Sequence, residues 1–167
     1  MKRFLALTLC LGLLLSAACA EPLSVESEDV IMPAILRQIS VPAGIAEDYG
    51  EKMSAVEYDL GMRYSGQNAD VSITIWCTNG QGGRTLDEIA QDYVESPLGY
   101  EVKKSTLNGD KVYLISRPLE NLEMYLLTNE ADNDEGADVA YTISITAFTE
   151  TGEKLRDEVF ASFRSWN

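Results

Sequence analysis

Asp132-Asn133-Asp134-Glu135-Gly136-Ala137-Asp138 is the run of this chain that most resembles a site for chemistry, because hard cations such as calcium take oxygen ligands from acidic loops. Its spacing does not fit the EF-hand pattern, which needs alternating acids, a central glycine and a closing glutamate. A loop starting at Glu130 puts Glu135 where the glycine belongs and Tyr141 at the end, whereas one starting at Asp132 brings Gly136 a place early. A solvated connection over residues 129–138 is therefore expected, with weak calcium binding in an adhesion module as the alternative. Gly80, Gly82 and Gly83 with Arg84 stand before a helix start, where backbone N–H groups can cradle an anion. They match neither the Walker spacing nor the dinucleotide fingerprint, so a plain strand-to-helix turn is expected.

The chain contains no histidine. That removes Ser-His-Asp and Cys-His relays, histidine zinc sites and histidine pH switches. The Ser-x-x-Lys pattern and the Gly-x-Ser-x-Gly elbow are absent as well. A carboxylate pair hydrolysing a polysaccharide is the enzymatic alternative that remains, and its geometry is set by the fold rather than by local spacing. The expectation is a protein that is not an enzyme and needs no cofactor or metal.

Val71-Ser72-Ile73-Thr74-Ile75-Trp76-Cys77 alternates as a strand does. Cys77 shares a face with Val71, Ile73 and Ile75 and reads as a buried structural thiol rather than a nucleophile, since nothing in the sequence marks a group that would lower its pKa. Trp76 stands on the other face with Ser72, Thr74 and Thr78, while Tyr58 and Tyr64 end the face of the neighbouring strand. If a helix covers that face Trp76 is core, and if none does, Trp76, Tyr58 and Tyr64 form a contact surface for a peptide or glycan.

The elements that must position these residues follow from periodicity. Ile35 to Val41 reads as a first strand ended by Pro42-Ala43-Gly44, Glu57 to Tyr64 as a second, and Val71 to Thr78 as a third, in an antiparallel meander. Thr85 with Glu88 makes a capping box for a helix whose apolar face is Leu86, Ile89, Ala90 and Tyr93. Asn108-Gly109 signals a tight hairpin between Tyr100–Leu107 and Lys111–Arg117. Leu122–Thr128 and Val139–Phe148 form another strand pair, and Leu155, Val159, Phe163 and Trp166 mark a closing amphipathic helix. The order βββ-α-ββββ-α predicts an α+β fold, an antiparallel sheet flanked by helices.

Residues 1–20 read as an export signal: Lys2 and Arg3 are basic, Phe4–Leu15 is apolar, and small residues close the run. The apolar stretch is well short of the ~20 residues of a membrane-spanning helix. Two products compete. Ala18-Cys19-Ala20 suits ordinary signal peptidase cutting after Ala20, whereas Leu15-Ser16-Ala17-Ala18-Cys19 resembles a lipobox that would lipidate Cys19, although its leucine stands one place early. Residues 21–34 are expected to be a flexible acidic lead-in and residues 35–167 a single domain, monomeric and extracytoplasmic. The net charge of −14 becomes −16 on losing Lys2 and Arg3, which repels nucleic acid and anionic membrane surfaces. Membrane attachment is then expected only through a lipid anchor.

The strand with Ile39-Ser40-Val41-Pro42, the capped helix Thr85–Tyr93, the hairpin Leu107-Asn108-Gly109-Asp110-Lys111 and the closing Glu158–Arg164 together resemble the PsbP-like family, named for an extrinsic protein of photosystem II and including many exported bacterial proteins. The resemblance implies an antiparallel sheet sandwiched between helices and a non-catalytic role in binding a protein or membrane complex. The family has no shared catalytic motif, and nothing in this chain points to photosynthesis. The functional expectation is an exported binding or accessory domain that recognises a protein or cell-envelope component.

Overall fold

Asn108 and Gly109 both take positive φ, 47° and 97°, as a type I′ turn demands. They join β5 (Glu101–Leu107) to β6 (Asp110–Arg117), the hairpin at one edge of a six-stranded sheet. The computed structural model describes residues 22–45, 61–129 and 137–166. The sheet also contains β3 (Gly61–Gln67), β4 (Val71–Arg84), β7 (Leu122–Thr128) and β8 (Ala137–Ala147), in the antiparallel order β3-β4-β8-β7-β6-β5. A second sheet of three strands pairs β1 (Ser27–Met32), β2 (Arg37–Pro42) and β9 (Arg164–Ser165) in that order. With α1 (Leu86–Val94) and α2 (Glu150–Ala161), this is the α+β class predicted from sequence.

The capping box of α1 forms as expected: Glu88 N–H donates to Thr85 Oγ1 at 3.2 Å and Thr85 N–H to Glu88 Oε2 at 2.7 Å. Ile89 and Ala90 of α1 pack on Ile115, Met124, Leu126 and Ala140, on one face of the large sheet. The opposite face carries Val71, Ile73, Ile75, Tyr141, Ile143 and Ile145, which meet Leu155, Val159, Phe160 and Phe163 from α2 and its end together with the small sheet's Met32, Ile39 and Val41. Tyr125 meets Phe160 edge-on, with ring centroids 4.6 Å apart. Apart from half-buried Tyr125 these side chains are almost wholly buried, and each Val, Leu, Ile, Phe or Met among them contributes about 1.5–3 kcal/mol relative to exposure.

Four expectations are corrected here. The lead-in of residues 21–34 is not a free tether over its described length. Leu23 is buried, and Ser27–Met32 form β1, whose Val30 and Met32 enter the core opposite Ile39 and Arg37. The first strand does not join a meander with the next two: β2 lies between β1 and β9 in the small sheet. The glycine run does not end β4, since Gly82 and Gly83 take positive φ in an irregular stretch and Arg84 pairs again with Ala137. At the other end α2 stops at Ala161, so Trp166 lies beyond it, past the short strand β9.

Candidate binding surface

Alternation along β4 divides Trp76 from Cys77: the indole is 39% exposed and the thiol 1%. The registers of β3, β4 and β8 set Trp76 in a regular array. One rung across these strands aligns Gln67, Ser72 and Thr146, the next Ser65, Thr74 and Ser144, and the third places Trp76 beside Thr142. Adjacent strands are about 4.8 Å apart and alternate residues on one strand about 6.6–6.8 Å apart, so these side chains form a flat lattice. None of them is charged, in a chain with 27 acidic and 13 basic residues.

The hydroxyls of Ser65, Ser72, Thr74, Thr142, Ser144 and Thr146 make no hydrogen bond within the described residues. Each is half-buried by its neighbours, as befits a flat sheet surface. Thr78, further along β4, differs: it donates to Ala140 O at 3.4 Å and accepts from Gln81 Nε2 at 3.1 Å. Among the described elements, the apolar contacts of α1 on this side stop at Ala140 of β8. Among the described residues the lattice therefore forms an uncovered, uncharged, hydroxyl-rich surface centred on one aromatic side chain.

Of the residues expected to form a contact surface, two are described, and of these Trp76 is exposed and Tyr64 is not. Tyr64 is a correction. An irregularity in the β3 register between Met62 and Tyr64 sets it beside Ile75 on the core face, where it is 8% exposed and its hydroxyl donates to Pro42 O at 3.3 Å. Burial, aided by the Glu28 carboxylate, pushes its phenol up to about 12. Tyr58 lies outside the described residues, as do Cys19 and Ala20. Much of the acidic loop does too, although its base is closed by Asn129, whose Oδ1 accepts from the N–H groups of Asp138 and Val139 at 3.0 Å.

Sequence reading did not link β8 to this surface, although a signal was present. Ser72-Ile73-Thr74-Ile75-Trp76 and Thr142-Ile143-Ser144-Ile145-Thr146 both set isoleucines on one face and hydroxyls on the other. The antiparallel register lays the two patterns side by side.

Two further sites can be weighed against the lattice. A groove of about 1100 Å³ runs between the Ala34–Arg37 turn, the β5–β6 hairpin and the start of α1. Arg37 holds Asp110 through two hydrogen bonds of 2.6 and 2.8 Å. Asp87 accepts from Lys104 Nζ at 2.7 Å and from the Tyr113 hydroxyl at 2.9 Å, and these bonds, Lys104's first, hold its carboxyl below the usual range. The glycine run near Arg84 also has its cation engaged: the guanidinium donates to Asp92 at 2.8 and 2.9 Å and to Glu88 O at 2.6 Å. Among the described residues no three acidic or cysteine side chains gather where they could hold a metal ion.

No family model, curated protein or solved structure matches this chain.

Proposed function

We propose that this chain is an exported, non-enzymatic binding domain that engages a cell-envelope component through the open face of its large sheet. The observation that carries the reading is the neutral lattice of unpaired hydroxyls around exposed Trp76. Tryptophan, an apolar plate with one polar N–H, is enriched where proteins meet their partners. Trp76 and every lattice hydroxyl but that of Ser65 stand on β4 and β8, which are hydrogen-bonded on both sides, so this part of the lattice is preorganised and loses little freedom on binding.

The groove supports the non-catalytic part of this reading. Its two hydrogen-bonded carboxylates are both engaged, Asp87 by Lys104 and Tyr113 and Asp110 by Arg37, so neither stands free to give a proton to a glycosidic oxygen. Export by residues 1–20, with either a cut after Ala20 or lipidation of Cys19, belongs to the same proposal, as do the PsbP-like assignment and a monomeric state.

Co-sedimentation of the purified full domain with washed envelopes tests the reading. Trp76→Ala is expected to reduce the bound fraction at least tenfold while the melting temperature holds. Equal sedimentation of the variant and the parent protein would overturn it.

A further inference from the structure

We infer that the partner of the open sheet face is a neutral polysaccharide, with Trp76 as the stacking platform and the hydroxyls of Ser72, Thr74, Thr142 and Ser144 as its polar contacts. This rests on the binding role proposed for that face, and three independent features of the surface choose the chemistry.

Charge decides first. Among its described side chains the lattice has no cation to hold a phosphate, sulfate or uronate, and the chain's net −14 opposes any polyanion. It has no carboxylate either, so a cationic partner would find the chain's acids elsewhere. A ligand that fits here is itself uncharged.

Hydrogen bonding decides second. A hydroxyl both donates and accepts, and the six unpaired hydroxyls form a surface of mixed polarity at regular spacing. Sugar hydroxyls have the same dual character, so contacts form in either sense, directly or through bridging water. A peptide strand is a poorer fit. It binds sheets by backbone pairing at an edge, whereas β4 and β8 already have strand neighbours on both sides.

The aromatic decides third. An indole presents a broad apolar plate with one polar N–H, which matches the C–H face of a pyranose ring whose hydroxyls project around its rim. Trp76 lies in the same rung as Thr142 and next to the rung of Thr74 and Ser144. A sugar stacked on the ring therefore places its rim hydroxyls over theirs.

The test uses the full domain with Trp166→Phe, which leaves Trp76 as the one tryptophan of the two in the chain. Soluble neutral polysaccharides (a β-glucan, a galactomannan and a dextran) are compared with anionic polygalacturonate and cationic chitosan, by Trp76 emission and by retardation in polysaccharide-loaded native gels. At least one neutral polymer is expected to shift the emission and retard the protein, while the charged polymers do neither. Trp76→Ala and Ser144→Arg each weaken retardation at least tenfold at unchanged melting temperature. Binding to charged polymers at equal strength, or a Trp76 shielded from acrylamide quenching in the free protein, overturns the inference.

A second arm separates its failure from that of the parent reading. Envelopes are treated with periodate, which destroys vicinal diols, or with protease. Trp76-dependent sedimentation should vanish after periodate and survive protease, and the reverse pattern refutes the glycan while leaving the binding face intact. Sedimentation that ignores Trp76→Ala refutes both.

Discussion

Arg164 grips Asp29 with a single nitrogen, Nη2 lying 2.7 Å from one carboxylate oxygen and 2.6 Å from the other, across 135 positions of sequence. The same guanidinium donates through Nη1 to Ser40 Oγ at 3.0 Å and to Ser162 O at 2.8 Å, and Ser40 donates in turn to Asp29 at 2.8 Å. One cation thus ties the first strand, the second strand and the end of α2 together. Burial alone would raise Asp29, but Arg164 and Ser40 outweigh it and hold its carboxyl below the usual range.

A group whose folded-state pKa is depressed contributes stability above its unfolded pKa and loses it as pH falls through the folded value. The clamp is therefore complete at neutral pH and fades below about pH 4. Asp29→Asn is expected to cost about 1 kcal/mol at pH 7, a figure already discounted for the partial exposure of the pair, or roughly 2–4 °C in melting temperature. Melts at pH 7 and pH 3 check this, since the gap between the two proteins should close in acid. A gap of equal size at both pH values would refute the electrostatic account.

Gly152 sits in the first turn of α2, where an added Cβ would collide with the backbone carbonyl of Asp70. That closeness comes from the local network in which Phe148 N–H donates to Asp70 O at 2.7 Å and Thr149 Oγ1 to Asp70 Oδ1 at 2.6 Å. Glycine to alanine in an open helix gains about 1 kcal/mol. Here Gly152→Ala should instead lose about 1–3 kcal/mol from overpacking against backbone. Urea unfolding reads the sign directly.

Asn108 serves the hairpin twice. Its backbone takes the left-handed turn conformation, and its Nδ2 donates to Ala161 O at 3.2 Å and to Phe163 O beyond the end of α2. Asn108→Gly keeps the turn and removes the second role, so the loss of about 1 kcal/mol expected from it measures the docking of hairpin on helix. An unchanged midpoint would show that these carbonyls are served equally well by water.

Leu36 closes the β1–β2 turn at φ 51° and is 59% exposed. Asn121 holds the equivalent position after Pro118–Glu120, also at φ 51°. The left-handed region costs a bulky side chain roughly 1–2 kcal/mol, and asparagine tolerates it far better. Leu36→Asn should therefore stabilise the protein by up to about 1 kcal/mol in thermal melts, and a drop would assign the leucine a packing role.

The parts of the fold legible in the sequence are those set by neighbours in the chain. Thr85 with Glu88 and Asn108 with Gly109 specify their structures within a few residues, and the alternation of Ser72–Trp76 identifies its inward face without help. The parts that were not legible depend on distant partners. Ser27-Glu28-Asp29 looks like an acidic tether because only Val30 and Met32 of β1 turn inward, and the strand is anchored by β2 and by Arg164. Ile39 and Val41 show that β2 is a strand but not which sheet it joins. The candidate surface was half visible: Trp76 and its β4 hydroxyls stood out, whereas the matching row on β8 acquires meaning only from a pairing 70 residues away at Thr74 and Ser144. Tyr64 was misplaced because an irregularity in strand register shifts the alternation, and local sequence does not mark it.

Among the described residues Cys77 is the one cysteine, sealed in the core directly behind Trp76. A thiol reagent can reach it only when the sheet opens, so its labelling rate serves as a clock for that opening. A molecule seated on the indole side favours the closed state and slows the clock in proportion to its occupancy. One strand thus carries a gauge of occupancy on its outer side and a gauge of opening on its inner side, each read at a residue native to the chain.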